Sequence, residues 1–381
     1  MADSAFLKRL KPLASLQLTI LLIALLMGLV VACTLAQVHL GVFGAVKVYM
    51  RGFLVWWGPE GASWKIPVAP GGALVGLLLL INLTAAMFVR LEFSVRKGGL
   101  WLSHIGLILL FAGEFISGGM QIESHMPIKV GQTMNYGEDL RHVELAAVDA
   151  GGPGAKEDTV YAIHQRRLTP GTTIADPRLP YTVKVVKFMT NSRVQQAPFL
   201  AGKGPATAGA GTEVIAEEVP NAPSEEQNTP SLYAELSAGG KSLGTWLFST
   251  ALLPQTLELD GRKLELALRL RRVYVPYTLT LKEFHHDVYP GTQIPKNFSS
   301  LVRLKDAETG EDRDVLVYMN HPLRYRGSTF FQASFGENDT LSILQVVQNP
   351  GWRIPYIACI LVAAGLAWHF LARLAPARRT S

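Results

Sequence analysis

Four stretches of the chain are apolar over lengths that suit a lipid bilayer: residues 16–38, 66–89, 98–120 and 354–374. The first is 23 residues of mostly Leu, Ile, Val and Ala without a charge. At about 1.5 Å of rise per residue such a helix reaches across a hydrocarbon core of roughly 30 Å. The third is interrupted by His104 and Glu114, and the fourth carries His369 near its end. The pattern changes in residues 121–353. Leu264, Leu266, Leu268 and Leu270 interleave with Glu265, Ala267, Arg269 and Arg271, the period of two that buries one face of a strand. Short apolar or alternating runs recur around 181–188, 232–236, 243–248, 277–284, 301–304, 315–319, 329–333 and 341–347, with turn residues at 238–241, 260–261 and 305–312. The predicted fold is a membrane protein with four transmembrane helices and a large antiparallel β-rich domain, sandwich or barrel-like. Within that domain residues 195–230, rich in Ala, Pro, Gly, Glu and Thr, read as a flexible excursion.

Composition supports lipid over solution: of 381 residues 49% are hydrophobic and 17% charged. The net charge of +6 divides unevenly, with 13 Lys/Arg against 4 Asp/Glu outside residues 121–350 and 23 against 26 within them. The basic excess therefore flanks the apolar runs, which points to a membrane surface and excludes nucleic acid as the partner. Lys8, Arg9, Lys11, Arg90, Arg96, Lys97, Arg373, Arg378 and Arg379 fall on one side of a four-span topology. The positive-inside rule then puts 1–15, 90–97 and 375–381 in the cytoplasm, and an outer loop of 39–65 and the domain of 121–353 outside. Trp56, Trp57 and Trp64 in that loop suit an interfacial aromatic belt. The sequence Val30-Val31-Ala32-Cys33 resembles a lipoprotein cleavage box. The apolar run before it exceeds the roughly 7 to 15 residues of a signal core, so the expectation is a retained helix.

Candidate chemistry is sparse. Cys33 and Cys359, both inside spans, belong to no CxxC and read as small hydrophobes, although their similar depth permits a bond if the first and fourth helices touch. An ionisable side chain in lipid is costly and normally faces a bundle interior or cavity, which singles out His104 and Glu114. For His104 two readings stand: a hydrogen bond to Ser103 or a neighbouring helix backbone, or ligation of a metal or haem. His369 lies at a similar depth by residue count and reads first as interfacial. In His285-His286-Asp287 adjacent residues on a strand point to opposite faces, which disfavours chelation. No nucleophile elbow, HExxH or phosphate-cradling loop is present, and the chain declares no catalytic residue.

Residues 285–300 (HHDVYPGTQIPKNFSS), residues 320–335 (NHPLRYRGSTFFQASF) and residues 346–351 (VVQNPG) resemble the ResB family, membrane proteins of system II cytochrome c biogenesis. That family also has three spans, a large outer domain and a fourth span. The resemblance implies a bacterial cytoplasmic-membrane subunit that works with a ResC-type partner to carry haem b outward and attach it to apocytochrome c. It implies a non-catalytic or co-catalytic role in the synthase complex, with His104 of Trp101-Leu102-Ser103-His104-Ile105-Gly106 as axial haem ligand. His369 is the second candidate ligand, and Arg96 and Lys97 are candidate partners of the propionates. The rival expectation is an assembly scaffold that holds the partner and chaperones apocytochrome c without binding haem. The tryptophan-rich segment of ResC-type proteins has only a superficial likeness here, at residues 56–60 (WWGPE).

Overall fold

The computed structural model describes residues 10–59, 64–151, 158–196, 204–222, 224–259, 261–292, 295–336 and 339–374. The basic Lys8, Arg9, Arg378 and Arg379, and Asp260 of the expected hairpin, lie outside the described residues. The chain forms two compact units, one of Met1–Ile122 with Val347–Ser381 and one of Glu123–Val346.

The first unit holds four helices long and apolar enough to cross a membrane: α1 Leu16–Ala45, α2 Gly72–Arg90, α3 Gly98–Met120 and α4 Ile354–Leu374. They pack in chain order, α1 on α2, α2 on α3 and α3 on α4. Leu22 and Leu29 of α1 meet Val75 and Leu79 of α2 in a small core. The α1–α2 pair is also tied by a buried amide absent from the sequence-based candidates. Asn82 Nδ2 donates to the carbonyls of Leu13 (2.6 Å) and Ser15 (3.1 Å), and its Oδ1 accepts from the Thr19 hydroxyl at 2.6 Å. Such a side chain satisfies backbone groups that lipid cannot.

The structure differs from the expected outer loop at both ends. The first helix runs on past residue 38, breaks at Gly41 (φ 70°, ψ 167°), and closes with a π turn at Val46–Met50. Residues 66–70, expected to open the second span, instead form β2 (Ile66–Pro70), paired antiparallel with β1 (Leu54–Trp57). The reason is local. Pro67 and Pro70 push the residues before them out of helical backbone, so α2 begins only at Gly72.

The second unit is antiparallel and β-rich. Its strands are β3 Ile122–Lys129, β4 Thr133–Asp149, β5 Thr159–His164, β6 Thr173–Ile174, β7 Thr182–Met189, β8 Ser192–Gln196, β9 Val214–Glu218, β10 Ser231–Ala238 and β11 Lys241–Ser249. Then come β12 Gln255–Leu259, β13 Arg262–Val288, β14 Pro295–Asp306, β15 Glu311–Tyr318, β16 Leu323–Tyr325, β17 Ser328–Gly336 and β18 Leu341–Gln348. One sheet runs β15-β14-β13-β4-β3-β18-β17-β16, with β5 on β4 and β12 on β13; a second runs β11-β10-β7-β6. The 264–271 and 277–284 runs, expected as separate strands, belong to the single strand β13. Its pairing with β4 jumps between Tyr274 and Leu279, around Pro276. A proline cannot donate to the ladder, so a shift in register accommodates it.

That shift divides the interior in two. Before it, Leu264, Leu266 and Leu268 pack with Val183, Val185, Leu232, Leu236 and Phe248 of the second sheet, a sandwich. Burial of each of those leucines contributes about 1.5–3 kcal/mol. After it, Leu279 and Leu281 meet Val302, Leu304, Val317, Phe330, Leu344 and Met126. There a bridge from Tyr318 to His321 returns the end of the sheet toward β15, giving a near-barrel. Within 195–230, expected as an excursion, β9 pairs with β8, and Ala216 packs with the buried Met189, Tyr233 and Leu247.

The β14–β15 turn is held by the buried Asp306. Its Oδ1 accepts the amides of Glu308 (2.9 Å) and Thr309 (3.4 Å), and its Oδ2 accepts Tyr325 (2.8 Å) and Arg326 (2.9 Å). Burial alone would raise this carboxyl; the bonds from Arg326, Tyr325 and the two amides prevail and lower it from 3.8 to about 2. A depressed folded value stabilises above the unfolded value and loses that contribution as pH falls through the folded one. Amide-exchange protection of β14 and β15 is therefore expected to fall between about pH 4 and pH 2. Asp306→Asn should be less protected at pH 4 and flat below it; a variant with the wild-type pH curve would contradict this account.

Candidate functional site

On α3 the residues Gly99, Ser103, Gly106 and Gly113 are buried, spaced so that they share one face of the helix. That face lies directly on α4, where Ala358 and Gly365 are buried. A Cβ at Gly106 would sit 2.8 Å from the Ala358 carbonyl oxygen and 3.0 Å from the Val362 nitrogen. The small residues let two backbones approach, and Ser103 Oγ, which bonds the Gly99 carbonyl at 3.0 Å, also reaches the Val362 carbonyl at 3.5 Å. Gly106→Leu is expected to force α3 and α4 apart and cost about 1–3 kcal/mol or more, read as a lowered unfolding midpoint in detergent. Gly28→Leu on α1 is the control, since a Cβ there meets nothing within 4 Å. Equal midpoints would refute the tight interface.

His104 stands one residue beyond Ser103, about 100° around the helix from that seam. It is half-buried, and its Nδ1 lies 2.7 Å from the Leu100 carbonyl of its own helix. A carbonyl only accepts, so Nδ1 carries a proton, and in the neutral imidazole Nε2 keeps its lone pair. Of the two readings open from sequence, the interhelical hydrogen bond belongs to Ser103. The His104 imidazole is instead oriented by its own backbone, the arrangement that fixes the tautomer of a metal-binding histidine. Around the N-terminal end of α3, Trp101 packs edge-on against Phe88 and Phe93 and donates to the Glu92 carbonyl. Lys97 is paired with Glu92 at 2.6 Å, whereas Arg96 is exposed and has no ion pair among the described residues.

His369 is not brought to the level of His104. Its backbone nitrogen lies 2.5 Å from where a Gly99 Cβ would be, which sets it five residues, about 8 Å along the axis, from His104. Counting from the ends of the two apolar runs assumed a common starting depth; the antiparallel register of α3 on α4 decides otherwise. The Nδ1 of His369 is buried without a hydrogen-bond partner among the described residues. Glu114 is exposed on α3. Cys33 is buried, Cys359 exposed, and both thiols are free.

Trp56 and Trp57 line, with Leu21, Leu25, Tyr49 and Val68, an apolar cleft of about 460 Å³ between α1 and the β1–β2 hairpin. No His, Cys, Asp or Glu lines it, so it offers shape without a ligating atom. Among the described residues no group of three or more His, Cys, Asp or Glu could hold a metal ion. His285 and His286 do diverge as alternation predicts, His285 exposed against Glu283 and His286 turned inward.

The features together define a chain of four membrane-length apolar helices with an antiparallel β-rich unit, and with a half-buried imidazole on the third helix held by its own backbone. Residues 256–344 match the family model of the ResB-like family, and over that segment the chain is ResB-like. It is also similar to Protein NrfI of Wolinella succinogenes, 32% identical over 123 residues, which are 32% of this chain and 14% of that protein. The match thus spans a small part of the relative's length. The matched segment holds all but the first residue of β12, the whole of β13 to β17 and the first half of β18, and so takes in strands of both the sandwich and the near-barrel.

Proposed function

We propose that this protein is a haem-handling membrane subunit of cytochrome c biogenesis. The observation that carries the reading is the ResB-like match over residues 256–344. In this reading α1 to α4 span the bacterial cytoplasmic membrane, with both termini in the cytoplasm and the β-rich unit outside, as the basic flanks require. Haem b is cargo: His104 Nε2 offers the lone pair that binds its iron, and exposed Arg96 meets a propionate. Lys97, neutralised by Glu92, is left to a structural role. His104 lies about 9 Å in from the start of α3, which suits uptake from the cytoplasmic side. A ResC-type partner carries the synthase site, and the β-rich unit docks that partner or apocytochrome c. The given sequence contains no CxxCH of the kind that receives haem.

The visible spectrum of the protein purified from membranes, with and without the partner, tests the proposal. A Soret band that depends on His104 supports it. A band independent of His104 moves the ligand elsewhere, and no band in either preparation leaves the scaffold reading.

A further inference from the structure

A second imidazole, in the β-rich unit, has the same preparation as His104. His286 on β13 stands across from Phe298 on β14. Its ring lies 4.2 Å from that of Phe335 on β17, which in turn is 5.4 Å from Phe298 and 5.7 Å from Phe284. Its Nδ1 is 3.1 Å from the Asp339 carboxylate, which follows β17 in the chain. The ionised carboxylate can only accept, so Nδ1 donates, and in the neutral imidazole Nε2 keeps a lone pair. That Nε2 is buried and has no hydrogen-bond partner among the described residues. A buried acceptor left unsatisfied costs stability and asks for a reason.

The surroundings select among ligands. A bare metal ion needs three or four protein donors, and among the described residues no such group exists. Acid–base catalysis needs a reacting group, whereas the rings recorded at this imidazole and its neighbours are the apolar ones of Phe284, Phe298 and Phe335. A metalloporphyrin meets both conditions. It brings four equatorial nitrogens, so one imidazole suffices, and its flat apolar faces suit an aromatic wall. The carboxylate on Nδ1 fixes the orientation of the ring, as in other metal-bound histidines. Phe335 is the penultimate residue of β17, before Gly336, so its ring is the one best placed to yield room. Exposed Lys296 sits at the bulge where Val288 pairs with Pro295 and offers a cation for a propionate.

The geometry points to an axial haem site at His286, in the β-rich unit and separate from His104. The inference rests on the reading of this chain as a haem handler and adds a receiving site on the outer side. The step is coordination alone: the Nε2 lone pair forms a bond to iron, a bound water leaves, and no electron or proton is transferred.

The test uses the full chain in detergent, titrated with haemin and then reduced. The iron–histidine stretch in the resonance Raman spectrum separates ligation from haem dissolved in micelles. Four proteins are compared: wild type, His104→Ala, His286→Gln and the double variant. Gln keeps the volume of the side chain, and the unfolding midpoint reports whether each variant is folded. The expectation is that His104→Ala retains an iron–histidine signal and the double variant loses it, with added imidazole restoring it. Asp339→Asn in the His104→Ala background should weaken binding about 10–100-fold. A signal lost in His104→Ala alone overturns the His286 site and keeps haem handling. A signal insensitive to His104 but abolished by His286→Gln keeps the His286 site and overturns the role of His104. No signal in any protein overturns both.

Discussion

His104→Ala is expected to purify as a folded protein whose membrane-acquired Soret band is lost. The imidazole is half-buried and takes no part in the α3–α4 seam, which is held by Gly99, Ser103, Gly106 and Gly365. Its hydrogen bond goes to Leu100 in its own helix, and alanine is the better helix former, so folding loses little. The loss of Nε2 is not made good by a neighbour. His369 is displaced by about 8 Å along the helix axis, and Cys33 is buried in α1. His369→Ala is accordingly expected to leave the band in place. Haemin and imidazole added together to His104→Ala should restore a low-spin spectrum, the imidazole filling the vacated space. The comparison is made at equal protein, by absorbance at the Soret maximum over absorbance of the protein. A wild-type preparation with haem that His104→Ala retains in full would sink the assignment.

Phe330→Ala is expected to destabilise the near-barrel half of the β-rich unit by about 3–5 kcal/mol. Phe330 is 0% exposed. It packs in the core with Leu279, Leu281, Val302, Leu304, Val317 and Leu344, and its ring meets Tyr277 edge-on at 6.3 Å. Removal of the ring forfeits both the transfer free energy and the contacts around the vacated volume, because sheets on each side of it cannot collapse inward. Leu253 is 86% exposed, and Leu253→Ala should lie within about 0.5 kcal/mol of wild type. Chemical denaturation followed by amide exchange in β14 and β17 measures both. A loss below about 1 kcal/mol for Phe330→Ala would mean that this core is not packed as described. The same variant also bears on His286, which sits on the continuation of β13 beyond Leu281. Both depend on β17, Phe330 in its middle and Phe335 near its end.

Some of this protein was legible in residue order alone. Helices α3 and α4 occupy residues 98–120 and 354–374, the stretches read as apolar runs, because a helix of such residues satisfies its own backbone and needs no distant partner. The antiparallel β-rich character of the larger unit followed from alternation such as Leu264, Leu266 and Leu268, which is a property of neighbours two apart. Divergence of His285 from His286 followed in the same way. The start of α2 was legible too, in Pro67 and Pro70, but the uncharged run concealed it. Other features belong to tertiary structure. The single strand β13, bent at Pro276 and shared by two cores, arises because both halves find the same partner, β4, at different registers. The relative levels of His104 and His369 depend on how α3 slides on α4, and that is decided by where glycines let backbones touch. Asn82 found its partners 63 to 69 residues away. His286 was visible as a residue type, yet its chemistry was not. Asp339 on one nitrogen, a buried and unpartnered second nitrogen, and the wall of Phe284, Phe298 and Phe335 come from three strands and a turn. Only the closing of the sheet brings them together.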